Sequence, residues 1–341
     1  MDTNKKILKW YDQEKRDLPW RKSNKLIIDV YKVWISEIML QQTTVNAVIP
    51  YFETFIIKFP DVHSLAKARI EDVMTYWAGL GYYSRARNLH KCAKIIINDY
   101  NGIFPKNEIE LVKLPGIGDY TAGAICAIAY NQVAAPVDVN IERVISRISN
   151  EHNTTRREIK ELMRKIIPVN RPGDFIEAIM DLGSKICKIR EPKCMDCPIN
   201  TLCKTYLKNK LALLHVKINK PKIITRHGNC YIINREIDDK YFFIRMPTNG
   251  LLGGMLCFPS TNWIEDKKKL YNDKVFEDLI RKNTLCKVEN RINHTFSHFK
   301  LILNIYSLKY NNIMCLKGEW MKLEEAVKQL PSLMKKVAKT I

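Results

Sequence analysis

The stretch Leu114-Pro115-Gly116-Ile117-Gly118-Asp119-Tyr120-Thr121-Ala122-Gly123-Ala124 decides the fold. It reads as a tight glycine-containing turn between two helical runs. Glycines let the backbone approach a ligand closely, and the free N–H groups at the following helix start suit a phosphate. Taken alone, a Pro-Gly-x-Gly turn is more often a plain helix connection. Outward from it, from Lys5 to about Tyr206, apolar residues recur mostly at three- and four-residue intervals, as in Leu89, Cys92, Ala93 and Ile96. Pro60, Gly79 to Gly81, Gly102 to Pro105, Pro136 and Pro172-Gly173 punctuate this pattern, which predicts about ten helices with short connections. Residues 1–206 are therefore expected to form an all-α domain. Residues 207–226 lose the helical period and carry a run of lysines, which suits a basic linker lying along a polyanion. Beyond it, Asn229–Asn234, Lys240–Arg245 and Leu301–Tyr306 are β-branched or aromatic runs between turn residues, and so read as strands. With helical character near Val275 to Arg281 and Glu324 to Leu330, residues 227–341 are expected to be a second, α+β domain.

The 341 residues suit two cores better than one, and 46% hydrophobic with 27% charged residues rules out wholesale disorder. The longest small-residue apolar run, Ala122 to Tyr130, is far short of the ~20 residues needed to span a bilayer. The basic start meets Asp12, Glu14 and Asp17 before any secretory core can form, so cytoplasmic residence is expected. A net charge of +20 divides into +13 for residues 1–226 and +7 for 227–341. An excess shared by both parts points to a polyanionic partner, because each phosphate neutralised by Lys or Arg releases a counterion. Lysine enrichment of solvated positions by an AT-rich genome is the competing explanation.

Cys187, Cys194, Cys197 and Cys203 place four thiols within seventeen residues, dense enough to wrap one soft-metal centre. A reducing compartment argues against disulfides. Four thiolates would also serve zinc, but zinc ribbons usually supply two C-x2-C knuckles and only Cys194 and Cys197 make one, which favours an iron–sulfur cluster. Lys185, Lys188, Arg190, Lys193 and Lys204 surround these ligands, so the loop is expected to present cations, the metal being structural. The other six cysteines stand among apolar neighbours and read as small buried hydrophobes.

Turn and cysteines together make a helix-hairpin-helix signature, and from Trp10 to about Phe299 the chain resembles the MutY family of adenine DNA glycosylases, in the superfamily that holds endonuclease III. The resemblance is carried by Leu18-Pro-Trp-Arg21, Tyr31-Lys-Val-Trp34, Ser36-Glu-Ile-Met-Leu-Gln-Gln-Thr43, Gly79-Leu-Gly-Tyr-Tyr-Ser-Arg85, the hairpin, Val137-Asp-Val-Asn140, the four cysteines and Phe296-Ser-His298. It implies a 4Fe-4S cluster, duplex DNA containing A opposite 8-oxoguanine or G as partner, a monomer, and residence with the bacterial nucleoid.

Glu37, among Val33, Trp34, Ile38 and Met39, sits where apolar surroundings raise a carboxyl pKa and keep a proton to give. The family counterpart protonates adenine at N7. A surface Glu in the first turn after a Ser36 cap is the competing reading. Asp138 stands where a helix begins and reads either as an N-cap or as the carboxylate that stabilises an oxocarbenium-like sugar or captures it covalently before water does, with Asn140 orienting it or the water. Tyr120 occupies the position where bifunctional relatives carry a Schiff-base Lys, so little strand cleavage is expected. The resemblance assigns Gly116 and Gly118 to the DNA backbone, Gln42 and Tyr82 to plugging and wedging the duplex, and Arg16, Trp20, Arg21, Leu40 and Glu177 to the adenine pocket. Phe296, Ser297 and His298 would check the base opposite. Gly253-Gly-Met-Leu-Cys-Phe-Pro259 resembles the Nudix-like fold, but the acidic Nudix helix is absent, so no pyrophosphatase is expected. Three departures from the family pattern stand out: Val139 for a usual Gly, Leu252 for a usual Trp, and a longer stretch from Lys22 to Val30 without the usual Pro before Tyr31. An endonuclease III type enzyme for oxidised pyrimidines or T opposite G, and a silent DNA-binding iron–sulfur protein, are the alternatives.

Overall fold

The computed structural model describes residues 2–21, 28–151, 154–208, 223–270, 286–309 and 318–341. The chain divides into two compact units, Met1–Ala68 with Asn88–Ile218, and Arg69–Arg87 with Asn219–Ile341. The expected helix near Val275 to Arg281 and most of the expected linker lie outside the described residues, as do residues 22–27. No helix among the described residues is long and apolar enough to cross a membrane.

The described helices before the sheet are α1 (Asp2–Glu14), α2 (Val30–Leu40), α3 (Val45–Lys58), α4 (Val62–Lys67), α5 (Ile70–Trp77), α6 (Ser84–Tyr100), α7 (Glu108–Leu111), α8 (Asp119–Ile128), α9 (Val139–Ser149), α10 (Arg156–Arg164), α11 (Pro172–Lys185) and α12 (Lys204–Leu207). In the first unit α2 is the central helix. It is buried almost all round because Val33, Trp34, Ile35, Ile38 and Met39 leave no polar face, and it packs on α3 and α8. Asp29 caps it by accepting from the Tyr31 N–H at 3.0 Å. Helix α11 packs against α1, α8 and α9 and thereby brings both ends of the helical sequence to one place.

The second unit is α+β. Its strands are β1 (Ile224–Arg235), β2 (Lys240–Arg245), β3 (Leu256–Cys257), β4 (Cys286–Thr295), β5 (Phe299–Lys309) and β6 (Glu319–Met321), followed by α13 (Leu323–Gln329) and α14 (Ser332–Ala338). The mixed sheet runs β3-β2-β1-β5-β4 with β6 on β2, and β1 pairs parallel to β5 from Ile224↔Phe299 to Asn234↔Lys309. Alternation along β5 buries Phe299, Leu301, Leu303 and Ile305 while Lys300 faces out, the period of two that a half-buried strand requires. Residues 69–87, which helical periodicity alone assigns to the first domain, belong to this unit. Helix α5 packs on α13, and the Arg87 guanidinium donates to the Gly253 carbonyl.

Candidate active site

Glu37 lies in the last turns of α2, where the buried Ser36 hydroxyl donates to the Val33 carbonyl at 2.8 Å. The helix begins at Val30, so Ser36 is no cap and Glu37 is no first-turn surface residue. Glu37 is 7% exposed and shares a pocket with Arg16, Trp20, Arg21, Leu40 and Glu177. All five residues assigned to the base pocket by resemblance thus converge on it. Burial is the main force on the Glu37 carboxyl. A hydrogen bond with the Tyr120 hydroxyl and the Arg21 charge oppose it, the Asp138 and Glu177 charges reinforce it, and the result is a pKa raised to about 7. Burial and the negative charges of Glu37 and Asp138 hold the Tyr120 phenol well above its ordinary range. Near neutral pH a large share of the Glu37 carboxyl therefore keeps its proton, and the Tyr120 phenol stays neutral.

Asp138 is the N-cap of α9, its Oδ1 accepting from the Ile141 N–H at 2.7 Å. Its other oxygen accepts from Asn140 Nδ2 at 3.0 Å, and Asn140 Oδ1 accepts from Arg143 Nη2 at 2.8 Å. The cap and the candidate catalytic readings coincide, since one oxygen ties off the helix while the second is held by Asn140. Val139, the departure beside it, is the first helical residue and is 66% exposed, so it leaves the cap intact. Arg143 also donates to the carbonyls of Gly183 and Cys187, each at 2.8 Å, joining Asp138 to the cysteine loop. This close approach requires Gly183, where a Cβ would stand 2.8 Å from Asn140 Cβ.

Two residues that sequence reasoning missed organise the pocket's charges. Asp181, with no exposed side-chain surface, accepts from Arg16 Nε at 2.5 Å and from Arg21 Nη1 at 2.8 Å. Arg21 Nε also lies 2.9 Å from Glu177 Oε1, an ion pair rather than an aligned hydrogen bond. The Tyr11 hydroxyl donates to Glu177 Oε2 at 2.5 Å. Burial pulls the Arg21 guanidinium down, but Glu177 and Asp181 outweigh it and hold it above its usual range. Burial raises Glu177 in spite of Arg21.

In the hairpin turn only Gly116 needs its glycine for conformation, at φ +83°. Gly118 is the extended N-cap of α8 with open space where a Cβ would be. Both are exposed, as a backbone meant for a phosphate must be. Gln42 is exposed in the left-handed region at φ +57°, strain of the kind that accumulates at working sites. In the second unit Tyr82, also left-handed at φ +47°, places its hydroxyl 2.6 Å from Ser297 Oγ. Ser297 and His298 are exposed at the tip of the β4–β5 turn, whereas Phe296 is half-buried in a stack with Trp263 and Phe299.

Cys187, Cys194, Cys197 and Cys203 line one cavity with Arg147, whose Nη1 lies 3.3 Å from Cys187 Sγ. Backbone N–H groups of Ile199, Thr205 and Tyr206 point at the sulfurs of Cys197 and Cys203. Soft donors, N–H groups aimed at sulfur and an apolar cavity fit a thiolate-bound cluster. Lys188, Arg190, Lys193 and Lys204 around it are exposed.

Comparison with known proteins agrees with this geometry. Residues 35–169 match the HhH-GPD superfamily base excision DNA repair protein model, and residues 230–340 match a NUDIX domain. The adenine DNA glycosylase of Buchnera aphidicola subsp. Baizongia pistaciae is 37% identical over 317 residues, covering 90% of this chain and 86% of the relative. The human adenine DNA glycosylase is 32% identical, covering 89% of this chain and 66% of its own length. Among solved structures, a thermostable thymine-DNA glycosylase aligns with TM-score 0.55 and 32% identity over 60% of this chain and 95% of its own. A non-covalent endonuclease III–DNA complex aligns with TM-score 0.52 and 25% identity over 61% and 94%. The chain belongs to the family of adenine DNA glycosylases.

Proposed function

We propose that this chain is a monofunctional glycosylase of base excision repair, hydrolysing the N-glycosidic bond of adenine opposite 8-oxoguanine or guanine in duplex DNA. The observation that carries the reading is the Glu37 carboxyl buried, and so biased toward its protonated form, inside a pocket walled by Trp20 and Leu40. Adenine reaches that pocket only after leaving the stack, at a cost of roughly a few kcal/mol. Glu37 gives its proton to N7, and the electron pair of the C1′–N9 bond leaves with the base as neutral adenine. Asp138, held by Asn140, faces the resulting sugar cation. Water adds to C1′ and returns its proton to the Glu37 carboxylate, which closes the cycle. The Tyr120 phenol forms no imine, so the product is an abasic site with weak or no lyase activity.

The four cysteines would hold a 4Fe-4S cluster, which supplies a rigid, cation-bearing loop and no redox step. Tyr82, Ser297 and His298 would examine the base opposite, since adenine is itself undamaged and its removal requires a check on its partner. Single-turnover excision on duplexes carrying A opposite 8-oxoguanine, T opposite G and thymine glycol tests the reading. Excision of adenine alone is expected. Removal of thymine or thymine glycol would assign the chain to the pyrimidine enzymes, and no excision with retained duplex affinity would make it a damage binder.

A further inference from the structure

We propose that Trp263, outside every motif named above, is the positioning residue of the Phe296–His298 turn and so sets how selectively the opposing base is read. The inference rests on the reading of that turn given under Proposed function. Trp263 is mounted on the edge of β1. His227 N–H donates to the Ile264 carbonyl at 2.7 Å, Ile264 N–H returns a bond at 3.0 Å, and Thr261 N–H donates to the Asn229 carbonyl at 3.0 Å. The indole lies over Gly228, where a Cβ would come within 2.6 Å of Trp263 Cδ1 and 3.0 Å of Leu303 Cδ2. Position 228 thus makes the room that the ring needs. The indole N–H has no acceptor among the described residues, so stacking rather than hydrogen bonding sets the ring's place.

Phe296 stacks on this indole at 5.7 Å with the planes 27° apart, meets Phe299 at 4.8 Å, and receives His294 edge-on at 4.6 Å. Its backbone N–H closes the turn onto the Phe299 carbonyl at 2.9 Å. A ring fixed on three sides fixes the backbone that carries it, and the next residue is Ser297, 2.6 Å from the Tyr82 hydroxyl. A hydroxyl pair this short is lost when either partner moves by about 1 Å. Phe296 is therefore an anchor, while Ser297 and His298 are the groups left exposed to meet a base.

The test uses full-length protein and the ratio of single-turnover rates on A opposite 8-oxoguanine to A opposite C. Trp263→Leu is expected to lower that ratio at least roughly tenfold, within the roughly hundredfold that a misplacement of about 1 Å can cost at a positioned site. Ser297→Ala should lower it similarly, and the double variant should be no worse than either alone. Trp263→Phe, which keeps a ring, should restore most of the ratio. A normal ratio in Trp263→Leu with a lowered one in Ser297→Ala overturns the role of Trp263 alone. A normal ratio in Ser297→Ala overturns the reading of the turn beneath it. Should Trp263→Leu fail to fold, Gly228→Ala lifts the same indole and is judged by the same ratio, an unchanged value again overturning the inference.

Discussion

The Tyr11 hydroxyl donates a 2.5 Å hydrogen bond to Glu177 Oε2 across 166 residues of sequence, tying α1 to α11 at the wall of the base pocket. Glu177 thereby has one oxygen on Tyr11 and the other on Arg21. Burial holds the Tyr11 phenol above its ordinary range, so it remains a donor throughout the working pH range. Tyr11→Phe removes only that donor and leaves a buried acceptor short of a partner. A hydrogen bond to a charged group contributes about 1.5–3 kcal/mol, so single-turnover excision should fall about 10- to 100-fold. Duplex affinity, set largely by phosphate contacts, should stay within about twofold. An unchanged excision rate would mean that Glu177 needs no orienting partner.

A second expectation concerns pH. With the Glu37 carboxyl, raised to about 7, as the proposed acid, excision should be present below that pH and fall as pH rises through about 7. Glu37→Gln should abolish excision and leave duplex binding intact. The same shift has a stability consequence with a definite sign. The folded pKa lies above the unfolded value near 4.5, so the stability linked to this proton is full below the unfolded value. It is lost as pH rises through about 7. At pH 8 Glu37→Gln should be more stable than the parent chain, by something on the order of 1–3 kcal/mol in urea unfolding. Equal stability of the two chains at pH 5 and pH 8 would show that Glu37 is not desolvated.

How much of this was legible in the sequence follows from range. Glu37, Asp138, Asn140 and the four cysteines each announce themselves within a short motif, and the turn around Gly116 fixes the connection that presents them. Tyr11 and Asp181 do not, because their meaning comes from partners that the fold brings in from 160 or more residues away. A local signal for Asp181 did exist. It follows Glu177 by four residues, which puts both carboxylates on one face of α11 opposite a pair of arginines. Periodicity likewise identifies α5 as a helix but cannot say which core it joins, since that depends on Arg87 and Gly253, 166 residues apart. Phe296 reads as a recognition residue from its motif, while its half-buried ring depends on Trp263, which no motif marks.

The contact of Gly183 with Asn140 yields a third prediction. Gly183→Ala would place a methyl 2.8 Å from Asn140 Cβ, the rigid root of that side chain, so the first turn of α9 has to move. Asn140 then loses its aim at Asp138, and Arg143 its bond to the Gly183 carbonyl. Overpacking of this kind costs about 1–3 kcal/mol. Excision should fall at least about tenfold, within the roughly hundredfold that a 1 Å displacement of a positioned group can cost. Gly183→Ser should behave no better. Wild-type excision by either variant would show that Asn140 does not orient Asp138.

The cysteine loop gives the last prediction, because it holds both the basic surface and one end of the chain of bonds to Asp138. Arg143 donates to the Cys187 carbonyl, and Arg147 to the carbonyls of Lys188 and Ile189 at 2.6 and 3.2 Å. The loop's backbone is therefore read directly by α9, the helix that Asp138 caps. The purified protein should be brown, with iron and acid-labile sulfide in equal amounts, and Cys197→Ser should lose much of both. If the cluster's work is to hold the loop, its loss should weaken duplex binding through Lys188, Arg190, Lys193 and Lys204 and slow excision through Arg143 and Asn140. The binding defect should shrink in high salt, where phosphate contacts matter less. A colourless protein containing one zinc per chain would replace the cluster with a tetrahedral ion. A variant that loses its iron but keeps full affinity and rate would show that the loop stands without metal.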